Sequence, residues 1–184
     1  MSVTPCLWFD GQAEEAAELY TSVVPDSRIV HVARYGDAGP GAPGSPMLVT
    51  FELGGRRFTA LNGGPEYTFT PAVSFSIDCA TQEEVDHYWN ALCEGGKPIQ
   101  CGWLQDKFGL SWQVVPSILP ELLQDDDDAK SDAVMQAMLK MVKLDIKTLQ
   151  EAYDRAWPRR RYARRYVLNQ SSVRCHASFA AAAS

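Results

Sequence analysis

The chain has 184 residues, 46% of them hydrophobic and 22% charged, with a formal net charge of −6 at pH 7. That length suits one ordinary domain or two small modules sharing a core, and no apolar run reaches the roughly 18 residues a membrane-spanning helix needs. The start (Met1, Ser2, Val3, Thr4, Pro5) has no secretory pattern, and five cysteines without a CxxC spacing disfavour a disulfide framework or zinc knuckle and fit a reducing cytoplasm.

Residues 4–9 form a β-type run ended by the turn signal Asp10-Gly11. Ala13, Ala16, Ala17, Tyr20 and Val24 then recur at helical spacing, predicting a helix over 12–24 with Pro25 as its stop. Residues 28–35 are rich in β-branched side chains and predict a strand. Residues 36–46 hold four glycines and three prolines and predict a loop. Residues 47–53 and 56–61 predict a hairpin, because Gly54-Gly55 can take positive φ at both turn positions.

Gly63-Gly64-Pro65 interrupts this pattern, and it then begins again. A strand is expected over 72–77, then a helix over 82–93 with Val85, Tyr88, Trp89 and Leu92 on one face and Gly95-Gly96 as its stop. Short β runs follow near 99–101 and 102–105. The turn Asp106-Lys107-Phe108-Gly109 leads into a last strand over 110–115, closed by Pro116. Asp10 overlays Asp78, Glu14-Glu15 overlays Glu83-Glu84 and Tyr20 overlays Trp89, so the repeat is roughly 68 residues, too long for a solenoid unit. The expected fold is α+β: duplicated βαβββ modules, about 3–62 and 71–116, forming a mixed sheet curled around a cleft with helices outside.

Residues 117–155 read as a C-terminal helical extension. Met135, Met138, Val142, Ile146, Leu149 and Tyr153 predict one helix after the run Asp125 to Asp128, whose charge complements a helix N-terminus. The methionine-containing stripe reads as packing, across a dimer. Residues 156–184 read as a basic, solvated tail. All 23 acidic residues fall within 1–158, beside 11 basic ones, while 159–184 carry six arginines. The acidic body disfavours nucleic-acid binding, which needs clustered positive charge.

Three segments resemble PhnB-like proteins of the vicinal oxygen chelate (glyoxalase/bleomycin resistance/dioxygenase) superfamily, a branch that often carries the label 3-demethylubiquinone-9 3-methyltransferase. They are Leu7-Trp8-Phe9-Asp10-Gly11-Gln12-Ala13-Glu14-Glu15-Ala16, then Leu61-Asn62-Gly63-Gly64-Pro65, then the long stretch from Gln100 to Gln113. The resemblance spans about residues 3–155. It implies a divalent metal held by His, Gln or Glu from both modules, polarising substrate oxygens. The positions it points to are Thr4, Thr59, Ala72 and Gln113, a set without imidazole or carboxylate, and one amide cannot hold a hard divalent ion. No metal and no cofactor are therefore expected. His31, His87 and His176 do not fall at ligand spacing. The stretch Gly39-Pro40-Gly41-Ala42-Pro43-Gly44 has prolines within it and no helix after it, so it lacks the context of a nucleotide-binding turn and the methyltransferase label has no support in it.

Strand alternation separates two faces. Leu7, Phe9, Val73, Phe75 and Ile77 are expected toward the helices, and Cys6, Trp8, Ser74 and Ser76 toward the cleft. Trp8, Asn62, Ser74, Ser76, Cys101, Trp103 and Gln113 are the pocket candidates, an aromatic-walled mixture suited to a small planar or amphipathic molecule. Asn62 reads more simply as a turn residue and Cys101 as a buried, inert thiol. Three functions follow: a metal-independent small-molecule binder, working as a homodimer; a lyase, isomerase or dioxygenase whose metal is held by non-standard residues; or a partner protein that recruits through its basic tail.

Overall fold

A computed structural model describes residues 3–156, so the basic tail expected over 156–184 lies, but for Ala156, outside the described residues. The first module is β1 (Cys6–Phe9), α1 (Ala13–Val23), β2 (Arg28–Arg34), β3 (Pro46–Leu53) and β4 (Arg56–Asn62). Its sheet runs β1-β4-β3-β2, with β1 parallel to β4 and the other pairs antiparallel. The second module repeats the order with β5 (Ser74–Cys79), α2 (Gln82–Cys93), β6 (Lys97–Pro98), β7 (Trp103–Gln105) and β8 (Ser111–Pro116). Its sheet runs β5-β8-β7-β6, again with the first strand parallel to the last. The architecture is α+β, two four-stranded mixed sheets with helices, and neither sheet closes into a barrel.

Local chemistry fixes these elements. Gly54 and Gly55 take φ of 52° and 78°, the two left-handed positions that a two-residue hairpin turn between β3 and β4 needs. Thr81 caps α2 by accepting from the Glu84 amide at 3.2 Å, and Glu84 reaches back to the Ala80 amide at 2.6 Å, a reciprocal pairing close to a capping box. Gln12 gives α1 no such cap. Asn62, at the far end of β4, supplies it instead: its Oδ1 accepts from the Ala13 amide at 2.9 Å.

The helix-facing sides of both sheets share one core. Leu7, Phe9, Val49, Phe51 and Ala60 from the first sheet and Leu104, Trp112 and Val114 from the second are buried in it, together with Tyr20, Val85 and Leu92 of the two helices. Phe9 meets Phe108, Phe58 meets Phe75 and Tyr20 meets Trp112, all across the two modules. Phe75 and Ile77 take the helix-facing side as expected. Val73 does not: it precedes β5 and is 66% exposed, because strand alternation governs only residues inside the ladder.

Beyond Pro116 lie α3 (Leu119–Leu123), α4 (Asp128–Met138) and α5 (Ile146–Ala156), so the single helix expected there is broken. Two causes act together. The carbonyls of Met141 and Val142 accept from the amides of Cys101 and Gly102, both at 2.8 Å, which pulls the backbone out of helical pairing. Asp145 then accepts from the Thr148 amide at 2.6 Å and starts a new helix as its cap. Asp127 does the same for α4 through the Ala129 amide at 3.0 Å. Leu119, Leu122, Val134, Leu144 and Leu149 form a second small core, with Met138, Met141 and Tyr153 packed against it. No helix among the described residues is long and apolar enough to cross a membrane.

Polar groups tie this extension to α2. Gln82 donates to the Leu144 carbonyl at 3.2 Å and accepts from the Ile146 amide at 2.9 Å, and Lys143 pairs with Asp86 at 2.6 Å. Lys143 and Gln82 hold the Asp86 carboxyl below its ordinary range, and the Thr148 contacts do the same for Asp145. A carboxyl depressed in the folded state stabilises it above the unfolded pKa and ceases to as pH falls through the folded value. Acid is therefore expected to loosen the extension first. The protection factors of the amides at residues 146–156, followed from pH 7 down through the carboxylate range, should fall before those of β3 and β8 do; simultaneous loss would refute the ordering.

Candidate functional site

With one side of each sheet committed to the core, the other side carries the accessible chemistry. Register places Trp103 of β7 beside Gln113 of β8, and Gln113 beside Ser76 of β5. This brings three of the expected pocket residues into one row on one face. Gln113 is further fixed by donating from Nε2 to the Ser74 hydroxyl at 2.9 Å, so a fourth joins them. Trp103, Ser74 and Gln113 are half-buried and Ser76 is exposed.

On the first sheet the corresponding face carries three rows. Trp8, Leu61, Leu48 and Ala33 lie side by side in one. Cys6, Thr59, Thr50 and His31 form the next, and Arg57, Glu52 and Arg28 the last. Trp8 donates from its indole nitrogen to the Gly64 carbonyl at 2.8 Å and meets Tyr67 edge-on at 5.0 Å. Its ring also occupies the space that a Cβ on Gly63 would need, which explains the glycine there. Both Trp8 and Trp103 thus sit on accessible sheet faces, on different modules.

Two expected pocket residues are tied to the framework. The Asn62 side chain is 8% exposed overall as a residue, with Oδ1 used by Ala13 and Nδ2 donating to the Pro46 carbonyl at 2.9 Å. Cys101 adopts a φ of 60°, and its thiol points to the Met138 carbonyl at 3.6 Å. Burial raises the thiols of Cys79, pushed up to about 12, and of Cys93, which suits inert side chains.

The extension bears on this geometry. Val115 follows Gln113 by two residues, so it projects from the same face of β8, and it packs against the extension's core. Gly102 has φ 81°, and a Cβ there would lie 2.9 Å from Leu144. Val115, next to Gln113 along that face, is thus covered by the extension.

The metal expected from the resemblance does not fit these residues. Thr4 and Ala72 are exposed and precede their strands, and Thr59 donates to the Pro5 carbonyl at 3.4 Å. Among the described residues, no group of three or more His, Cys, Asp or Glu could hold a metal ion. The glycine-rich stretch over 36–46 joins β2 to β3, not a strand to a helix. Its Gly39 and Gly41 pack on the Tyr35 ring, and the Gly44 amide donates to the Tyr35 carbonyl at 2.8 Å, so these glycines serve a loop that wraps a tyrosine.

Two cavities were not legible in the sequence. One, of about 340 Å³, lies under that loop beside Asp10, Tyr35, Ser45 and Asn62. The other, of about 500 Å³, lies where Thr4, Pro5, Arg56, Arg57, Phe58 and Phe75 meet. The second draws on both modules, and local pattern cannot reveal which strand ends a tertiary fold will bring together.

Comparison with known proteins supports the fold. The family model described as 3-demethylubiquinone-9 3-methyltransferase matches residues 1–115. A PhnB protein from Bacillus cereus, described with the same methyltransferase name, is 37% identical with a TM-score of 0.59, covering 63% of this chain and 99% of that one. Protein PA1353 from Pseudomonas aeruginosa is 22% identical with a TM-score of 0.54, covering 63% and 97%. The fosfomycin resistance protein FosX from Listeria monocytogenes is 13% identical with a TM-score of 0.48, covering 68% and 98%. Comparison with curated proteins gives no match. The family model stops just before α3, so the extension stands outside it. The duplicated βαβββ chain belongs to the PhnB-like family described as 3-demethylubiquinone-9 3-methyltransferase, within the vicinal oxygen chelate superfamily.

Proposed function

We propose that the protein is a metal-independent, cytoplasmic binder of a small aromatic or amphipathic molecule. The observation that carries this reading is the row Trp103, Gln113 and Ser76, with Gln113 oriented by Ser74. An indole supplies a flat apolar wall, and one amide with two hydroxyls supplies oriented donors and acceptors, the composition of a ligand site. The same row contains no carboxylate or imidazole, so it suits recognition better than Lewis-acid chemistry. The family's methyltransferase description gains no support from the loop over 36–46, which lacks a following helix.

A homodimer fits this reading. The open sheet faces present Trp8, Leu48, Leu61 and the exposed Val30, and a second copy would bury them and complete the wall around a ligand. Sedimentation at micromolar concentration is expected to give a two-chain species.

The binding itself is tested with indole as the probe. Saturation-transfer NMR should report indole bound to the full chain, with the signal falling about tenfold in Trp103→Ala, the loss of one aromatic contact. Elemental analysis of chelator-free protein should find less than about a tenth of an equivalent of transition metal. A near-stoichiometric metal lost in Gln113→Ala would replace this reading with a metal-dependent lyase, isomerase or dioxygenase.

A further inference from the structure

We propose that the cavity between the segment just ahead of β1 and the first residues of β4 and β5 is an anion site that takes a flat aromatic body carrying one carboxylate or phosphate. It has a volume of about 500 Å³, and its walls include Thr4, Pro5, Arg56, Arg57, Phe58 and Phe75. That volume lies within the range of ordinary small-molecule sites. None of Trp8, Ser76, Trp103 or Gln113 lines it, so it goes beyond the binding row described above.

Charge is the first argument. Glu52 pairs with Arg28 at 2.8 Å and with Arg57 at 3.3 Å, so one carboxylate serves two guanidinium groups. Arg56 makes no ion pair or side-chain hydrogen bond among the described residues. No acidic residue lines the cavity. Three arginines against one glutamate leave a local positive excess on a chain whose net charge is −6. Guanidinium groups match the planar geometry of carboxylate and the oxygens of phosphate, which sets the class of anion.

Shape is the second. Phe58 and Phe75 meet edge-to-face with centroids 5.3 Å apart, one from each module, and give the cavity an aromatic floor. The glycine turn just before β4 fixes where Arg56 and Arg57 start, so both guanidinium stems leave one rigid corner. Adjacent strand residues project to opposite faces. Arg56 therefore lies on the same side of β4 as Phe58, and Arg57 on the other side beside Glu52, so the two flank the start of the strand where the cavity lies. An anion alone would use only the rim; the floor adds preference for an attached ring.

The test uses the full chain with 2-naphthoate, 2-naphthyl phosphate, neutral 2-naphthamide and inorganic phosphate, followed by calorimetry. At least one aryl anion is expected to bind about tenfold or more tightly than 2-naphthamide and than inorganic phosphate. Whichever of the two binds more tightly identifies the headgroup. In R56Q/R57Q that affinity should fall about tenfold or more, and in Trp103→Ala it should not change. Both arginines are exposed, so the double variant is expected to fold, and an unchanged melting temperature verifies it. Phe75→Leu should weaken the aryl anions while leaving inorganic phosphate as it was. The proposal is overturned if neither aryl anion binds at millimolar concentration, if the amide or inorganic phosphate binds as well, or if R56Q/R57Q binds as the parent does. Because Trp103→Ala affects only the indole site, failure here is distinguishable from failure of the function proposed above.

Discussion

Asp106→Ala is expected to destabilise the protein by about 3–5 kcal/mol, among the largest effects a single change produces. Asp106 is 3% exposed and opens the turn between β7 and β8. Its Oδ2 accepts from the Tyr20 hydroxyl at 2.7 Å and from the Trp112 indole nitrogen at 2.9 Å. Its Oδ1 accepts from the amides of Phe108 at 2.9 Å and Leu110 at 3.0 Å. Removing the carboxylate strands four donors at a largely buried site, and it cuts a polar link between α1 and the second module. Asp106→Asn keeps an oxygen for the two amides but leaves the Trp112 donor facing an amide nitrogen, so a smaller loss of about 1–3 kcal/mol is expected. Tyr20→Phe removes a single bond and should cost a similar amount.

Chemical denaturation of the three variants checks the series: Ala must be the worst, and equality of Ala and Asn would show that the turn amides contribute nothing. Burial pushes the Asp106 carboxyl up, against the pull of its four donors. A carboxyl raised in the folded state favours folding most fully below its unfolded pKa, and that contribution is lost as pH rises through the folded value. The sign is opposite to that of Asp86 and Asp145, so the module seam and the extension respond to acid in opposite directions.

Leu144→Ala is expected to cost about 2–5 kcal/mol, the range for emptying a fully buried leucine site. Leu144 is fully buried in the extension's core and lies against Gly102. The polar ties of the surrounding segment are few: the Cys101 and Gly102 amides, the Cys101 thiol, Gln82 and the half-exposed Lys143–Asp86 pair. Most of the loss should therefore appear as local opening of α4 and α5, not as global unfolding. A cost of 2 kcal/mol multiplies the open population by roughly 30, so proteolysis between α4 and α5 should accelerate by at least that order. A coincident loss of β8 protection would instead make the extension part of one cooperative unit with the modules. Because the extension packs on Val115 beside Gln113, the same variant should alter indole binding without touching Trp103, Gln113 or Ser76.

Much of this was legible locally. The period-two runs, the Gly54-Gly55 turn and the apolar helical faces each depend on residues within one turn or one hairpin, so their identity suffices. The repeat of Asp10 at Asp78 and Tyr20 at Trp89 likewise announced two modules. The candidate row was legible in part: alternation put Ser74 and Ser76 on one face, but only the ladder register set Trp103 and Gln113 beside them. The break between α4 and α5 was hidden because one of its two causes, the amides of Cys101 and Gly102, lies about forty residues away along the chain.

Asn62 and Asp106 mark the boundary between the two kinds of information. By composition and neighbours both are turn residues, and both do end a strand or open a turn. What the folded chain adds is their partners beyond the turn: Ala13 and Pro46 for Asn62, and Tyr20 together with Trp112 across the hairpin for Asp106. Residue type and short-range geometry were enough for the elements of the two modules, for their duplication and for the poverty of metal-binding side chains at Thr4, Thr59, Ala72 and Gln113. How the two modules share one core, where the extension docks and which side chains line each cavity came from the folded chain alone. Those are encounters between segments far apart in the chain, fixed when apolar faces are buried together and invisible to any window of neighbouring residues.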